Sequence, residues 1–505
     1  MSQFTSQSTL APAEHQKEYT QGQIIKFDIP AFYGMIDPRQ SFLRMNIELV
    51  GECKLRLSKH LGSQSLISAL RIYDHSNANL LENIENYGEL AKVMNVYGDN
   101  ETLKHQRQLL EAVDTETALG HLDLQNALFF KQLSPLGGTT LDVVSSGSVN
   151  ANRVQVAMRM LSGILGGDKV FPINAFGGLR VEIELNRAVK SLMIAEYGSF
   201  ATNCPLLGSP ITAGEITELY VEGLPSTLPF SVGNTITVED DEGDEVEVVI
   251  TAIDRKLMPE STEYGSEISF ATTEFGAASV GSKVYFGASV IDEMTKSLNF
   301  KLTNVEMCLK QVSPPQSYIS DMVKQMGSDE GLSIDIKTYD LVRNNIINGQ
   351  KIHEQPIRSF SNRVYSILTV LTPNESDRLY SDSFASLTAG LQNYAYAIDG
   401  QLNPNRAVET HLTTLVGGTH INQQSTFEIQ KALESCGLTV RNLPLRRDFL
   451  IGRAVGRYGG VFNLRERNLT LRTSYEPATP SMLCLNYLCS LRRLNVSNSG
   501  IVVIP

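Results

Sequence analysis

Spacings that carry metal or nucleophile chemistry are missing from this sequence. The six cysteines, Cys53, Cys204, Cys308, Cys436, Cys484 and Cys489, never stand as CxxC. Neither a zinc site nor a small disulfide scaffold is indicated, and buried free thiols are expected. The eight histidines, His15, His60, His75, His105, His121, His353, His411 and His420, form no HxH, HExxH or Hx3H arrangement. A zinc hydrolase or a cupin oxygenase needs such a cluster to hold its metal. No GxSxG marks a hydrolase elbow. The stretch GILGGDK, Gly163 to Lys169, departs from the phosphate-loop pattern, because Val170 follows the lysine and Asp168 repels phosphate. It reads as a structural bend. No catalytic residue, cofactor site or metal ligand is assigned, and the chain is expected not to be an enzyme.

Long hydrophobic runs are missing too. No stretch of about 18 apolar residues occurs, so no membrane-spanning helix is expected. The opening MSQFTSQSTLAPAEHQKEY has no apolar h-region, so no secretory signal is expected either. The protein is expected to be soluble in the cell that makes it and to leave by lysis or in an assembly. A formal charge of -12 argues against a surface that coats nucleic acid throughout, while leaving room for a local basic patch. At 505 residues, 42% of them hydrophobic, the chain exceeds one ordinary core and calls for two large domains or three small ones.

What is present is β-structure punctuated by turns. The cleanest strand lies in LSGILGGDKVFPINAFGGLRVEIEL, residues 161 to 185, where Leu179, Val181, Ile183 and Leu185 alternate with Arg180, Glu182 and Glu184. Residues 1–18, rich in Ser, Thr, Gln and Ala, read as a flexible arm that orders against a neighbour on assembly. Strands are expected at QIIKFD, SFLRMNIELV and CKLRLS, then at Ser65 to Tyr73. From Leu80 the spacing of Leu81, Ile84, Tyr87, Leu90 and Met94 is helical. Glu101 to Ala112 carries good helix formers, and Leu122 to Leu133 is either strand or helix. EITELYVE, Glu215 to Glu222, is a further strand. Residues 223–289 read as an inserted β-rich subdomain or loop, with a hairpin whose acidic tip spans 239–247. Glu239, Asp240, Asp241, Glu242, Asp244 and Glu245 offer oxygens for calcium, but not at EF-hand spacing, and a solvated tip is the preferred reading.

After Pro314-Pro315, Ser317 to Met326 suits an amphipathic connecting helix, and 314–331 is a linker. The second half then supplies another strand series: LSIDIKTYDL, SFSNRVYSILTVLT, LQNYAYAIDGQLNPN, HINQQSTFEI, DFLIGRAVG, NLTLRTSYE, MLCLNYLCSLRRLNVS and GIVVI. Both halves are thus mostly β with turns at short intervals, the pattern of sandwiches and jelly rolls. No sequence repeat relates them. Residues 441–505 hold ten arginines against three acids, a forked-donor surface suited to acidic neighbours or to packaged DNA, with pairing between subunits preferred.

The order of four stretches resembles the major capsid proteins of virophages and polinton-like DNA viruses, in the PRD1–adenovirus lineage. These stretches are SLISALRIYDHSNANLLENIENYGEL, LSGILGGDKVFPINAFGGLRVEIEL, LQNYAYAIDGQLNPN and LTLRTSYEPATPSMLCLNYLCSLRRLNVSNSGIVVI. The resemblance covers most of residues 20–505 and weakens across 223–289. It implies an all-β chain with short helices, built as two jelly-roll β-sandwich domains in tandem, the first at 19–313 and the second at 332–505. It further implies a homotrimer shaped like a hexagon, tiling the icosahedral shell of a double-stranded DNA virus or virophage with minor capsid or penton proteins as neighbours. Two rivals stand beside it: a glycan-binding β-sandwich such as a fibre or lectin, and a minor vertex protein forming pentamers.

Overall fold

The computed structural model describes residues 5–13, 17–50, 55–58, 60–113, 153–194, 206–222, 228, 230, 232–259, 264–286, 296, 298–347, 349–373, 383–384, 386, 390–410, 413–415, 418–420, 423–441, 449–456, 460–476, 481–497 and 500–505. Eight strands frame the first half: β1 (Thr5–Pro12), β2 (Ile24–Pro30), β3 (Phe42–Val50), β4 (Ile67–Asp74), β5 (Leu80–Glu85), β6 (Arg153–Met158), β7 (Gly178–Leu185) and β8 (Asn299–Ser313). All their pairings are antiparallel. One sheet runs β1-β8-β3-β6 and the other β2-β7-β4-β5. Eight more frame the second half: β9 (Leu332–Ile346), β10 (Ile352–Ile357), β11 (Val364–Pro373), β12 (Leu391–Ile398), β13 (Gln401–Glu409), β14 (Ile451–Ala454), β15 (Leu469–Tyr475) and β16 (Met482–Ser497). They form β9-β16-β11-β14 and β10-β15-β12-β13. Adding eight to each strand number converts the first roll into the second, so the duplication is in topology.

Period-two burial drives both rolls. Leu43, Met45, Ile47 and Leu49 of β3 are buried while their neighbours are half-buried, and in β7 the buried residues include Leu179, Val181, Ile183 and Leu185, as the sequence indicated. On the outward face of β7, Glu184 pairs with Arg71 at 2.9 Å and Glu182 with Lys26 at 3.6 Å. Cross-strand charge pairs hold a wet face without an apolar partner.

The connections divide by end. Those after the first, third, fifth and seventh strand of each roll meet one another: Gln21 Nε2 donates to the Leu298 carbonyl (3.2 Å), Asn186 Nδ2 to Ser65 (2.8 Å), and Lys190 Nζ pairs with Glu89 (2.6 Å). In the second roll the Tyr475 amide donates to Lys351 (2.8 Å) and the Glu476 amide to Gly390 (2.9 Å). The remaining connections meet at the opposite end, where the Asn174 amide donates to Gly34 (3.1 Å) and the Asp399 amide to Asn468 (2.9 Å). The first end carries the long decorations: helices Tyr87–Gly98, Glu101–Glu111 and Gln423–Ser435, and the inserted sheet. The second end has short loops and the linker helix Gln316–Met326.

Several expectations change. Residues 5–12 are no free arm. They form β1, which pairs with β8 from Ser313 to Glu306 and stands where β9 stands in the second roll. A strand needs backbone partners more than apolar side chains, so composition hid it. Leu80–Glu85 is a strand and the helix starts only at Tyr87, after Asn86 takes a left-handed conformation (φ 48°). HINQQSTFEI runs into the helix Gln423–Ser435, whose buried Ser425, Ile429, Ala432 and Leu433 follow a helical stripe. The inserted sheet begins before residue 223: Gly214–Val221 pairs with Tyr264–Phe275, and Leu206 bridges Lys283. Its order is completed by Glu245–Leu257, Thr235–Glu239 and Val284–Tyr285. Leu122 to Leu133 lies outside the described residues.

Candidate assembly surfaces

The junction between the two rolls is the most developed contact surface on the chain. Strand β5, at a free edge of its sheet, packs beside β9, at a free edge of the other roll. Arg343 of β9 pairs with Glu85 at 3.0 Å, Arg492 donates to the Leu81 carbonyl at 3.0 Å, and Tyr487 donates through its hydroxyl to the Asn86 carbonyl at 2.9 Å. One continuous core runs through the junction, including Leu90 and Tyr97 on one side and Tyr339, Leu433 and Leu494 on the other.

The Gly-rich bend belongs to this junction. A Cβ on Gly163 would overlap the Lys337 carbonyl oxygen, so only glycine lets the bend approach β9. The Gly163 and Ile164 amides donate to the buried Glu82 carboxylate at 2.7 and 3.3 Å, and Ser162 Oγ donates at 2.5 Å. The bend therefore binds an internal carboxylate through the donors a phosphate loop would offer to phosphate. Burial pushes the Glu82 pKa up, and these three donors oppose that shift. Beside the bend, a cleft of roughly 1040 Å³ opens between the linker helix, the 160–172 segment and β9, lined by Met160, Val170, Tyr318, Met322 and Tyr365 among others.

Among the described residues, five of the seven arginines of 441–505 pair with acids of the same chain. Arg453 pairs with Glu428, Arg467 with Asp399 at 2.5 Å, Arg472 with Glu354 at 3.0 Å, Arg492 with Asp340 at 2.6 Å and Arg493 with Asp335 at 2.8 Å. Arg363 adds a second fork on Asp335, at 2.9 Å. Arg493 and Arg363 together hold the Asp335 carboxyl down at about 2. These acids lie in strands, a helix and the Asp399 turn, all distant in sequence from their arginines, so composition counted the charges without locating their partners. Arg446, Arg447 and Arg457 lie outside the described residues.

In the acidic hairpin, Asp240 accepts from the Glu242 and Asp244 amides at 2.9 and 2.8 Å, and Asp241 from the Ser279 amide and hydroxyl at 2.9 and 2.8 Å. These carboxylates shape the turn. Cys308, Cys436, Cys484 and Cys489 are buried free thiols; Cys53 and Cys204 lie outside the described residues. Among the described residues, no three His, Cys, Asp or Glu side chains converge on a metal position, and no helix is long and apolar enough to cross a membrane.

Among the described residues, two further sheet edges have no cover comparable to the junction. Strand β13, the counterpart of β5, pairs among the described residues with β12 alone and exposes Gln401, Asn405, Arg406 and Glu409. Strand β1, the counterpart of β9, pairs among the described residues with β8 alone. The same two edge types that meet inside the chain are thus offered again on its outside.

No family of known sequences matches this chain, and no curated protein does. Solved structures do match along the whole chain. The capsid protein VP54 of the virus PBCV-1, fitted into a reconstruction of the virophage Sputnik, aligns with a TM-score of 0.52 at 7% identity, covering 100% of this chain and 97% of that one. The PBCV-1 capsid in its quasi-atomic form gives 0.51 at 7% identity, with the same coverage. The Faustovirus major capsid protein gives 0.50 at 8% identity, covering 98% of this chain and 91% of its own. At that level of identity the likeness is one of fold, and the fold of this chain is the tandem jelly roll of those capsid proteins.

Proposed function

We propose that this chain is the major capsid protein of a double-stranded DNA virus or virophage, working as a trimeric, pseudo-hexagonal building block of an icosahedral shell. The units of the repeat are residues 5–313 and 332–505, joined by 314–331. One observation carries the reading: the edge pair that joins the two rolls, β5 against β9, recurs as β13 and β1, whose outer edges carry no strand among the described residues. Repeating the internal contact sets β13 of one copy against β1 of the next. Three chains then close a ring of six rolls, a cyclic assembly in which every contact has its counterpart. The structural likeness to capsid proteins along the full chain supports the same reading. Such a protein acts by binding copies of itself, and no turnover is required of it. Its place is the virion shell, assembled in an infected host cell.

The test is expression of the chain alone and with the other structural proteins of its virus, followed by electron microscopy. Hexagonal capsomers, and shells built from them, are the expected outcome. A stable monomer or a five-fold ring contradicts the reading.

A further inference from the structure

The most exposed large apolar side chains among the described residues are Phe360 (80%) and Phe32 (75%). They occupy the same place in the two rolls. Phe32 lies on the connection from β2 to β3, three residues after the buried Ile29. Phe360 lies on the connection from β10 to β11, three residues after the buried Ile357. Both connections are at the short-loop end. Phe32 stacks on the buried Tyr33, with ring centroids 4.7 Å apart, so its backbone is anchored while the ring faces outward.

Each roll has one neighbour within the chain, and neither neighbour covers its phenylalanine. Phe32 stays exposed with the second roll packed along the β5 edge, and Phe360 stays exposed with the first roll packed along the β9 edge. If ring closure repeats that junction, it covers neither residue. A closed trimer therefore presents six equivalent phenylalanines at one end.

We propose, resting on the capsomer reading above, that Phe32 and Phe360 are the apolar contacts between neighbouring trimers, their partner being another copy of this chain. A recurrence on all six rolls matches a partner that meets all six alike, and in a closed shell that partner is an adjacent capsomer. The surrounding connections carry both signs of charge, with Asp37, Arg39, Asp168, Lys169, Arg465 and Glu466 interleaved. That mixture suits a protein surface of like composition; an anionic bilayer calls for a cationic one. Apolar anchors inside a polar rim supply most of the energy of such a contact.

The experiment compares wild type with Phe32→Ser, Phe360→Ser and the double variant. Melting temperature and mass of the purified protein are measured first, then the yield of shells. Because both rings are exposed, folding and trimer mass are expected to be unchanged in all three. The double variant is expected to give shells at a yield lower by at least about tenfold, with the single variants between. Shells at normal yield from the double variant overturn the proposal. So does binding of wild-type trimers to phosphatidylcholine vesicles that the double variant loses, which would assign the rings to a bilayer. A wild-type protein that never forms trimers removes the capsomer reading itself, and this contact with it.

Discussion

Asp335 shows how the second roll holds its charges. Its carboxylate receives guanidinium forks from Arg493 and Arg363, which hold its pKa at about 2 against an ordinary 3.8. A depressed carboxylate contributes stability that is fully present above its unfolded pKa and is lost as pH falls through the folded value. Wild type should therefore lose stability between about pH 4 and pH 2. Asp335→Asn should cost roughly 2 kcal/mol at pH 7 and show a flatter acid limb, read by thermal melts across that range. An unchanged limb would mean the two forks contribute nothing net. Glu82 makes the opposite case, a buried carboxylate surrounded by donors. Replacing it with alanine leaves Ser162 Oγ and the Gly163 amide without an acceptor, while the Ile164 amide keeps Ser162 Oγ at 3.1 Å, at an expected cost of about 3 kcal/mol. Ser162→Ala removes one of the three donors and also the acceptor of the Leu165 amide at 2.9 Å, and should cost about 2 kcal/mol. Equal urea midpoints for the two variants would contradict that ranking. Neither site was legible in sequence, where Glu82 and Gly163 lie 81 positions apart and nothing local ties a carboxylate to a distant glycine bend.

At the scale of elements, β1 carries the sharpest change in expectation. Read as an arm, residues 1–18 could be deleted with trimers spared and shells impaired. As a strand, β1 covers one flank of β8 and presents the edge proposed to meet β13 of the next copy. Removal of residues 1–13 is therefore expected to abolish trimers, giving monomers or aggregates by light scattering; normal trimers would return β1 to the role of an arm. The inserted sheet should behave in the opposite way. Its ends approach through the Leu206–Lys283 bridge, its Phe230 and Phe286 rings meet each other edge-on at 5.1 Å, and the second roll manages with the short 476–481 connection at the same place. Replacing 206–286 with a short Gly-Ser linker should leave folding and trimer formation intact. What sequence made legible was period-two burial, as in β3 and β7, and turns such as the acidic hairpin tip at 239–247. It missed β1 because polar residues pair as well as apolar ones along a backbone ladder. It missed the Gln423–Ser435 helix because its buried stripe continues past the stretch that looked like a strand.

For the whole molecule, the duplication explains more than any single site. Sixteen strands in two identical orders need no detectable repeat in sequence, since a jelly roll is specified by alternation and turn placement, which many side chains satisfy. The segments Ile29-Pro30-Ala31-Phe32 and Ile357-Arg358-Ser359-Phe360 share only their first and last residues, and their kinship emerges once both are seen to leave equivalent strands. The same duplication turns an internal junction into a template for an external one. The most direct measurement of that claim is the mass of the purified protein by light scattering, with negative-stain images of the same peak. The expected result is about 167 kDa, three times the 55.6 kDa chain, with a six-lobed outline. A monomer near 55.6 kDa at working concentrations, or a ring with five-fold symmetry, would contradict it.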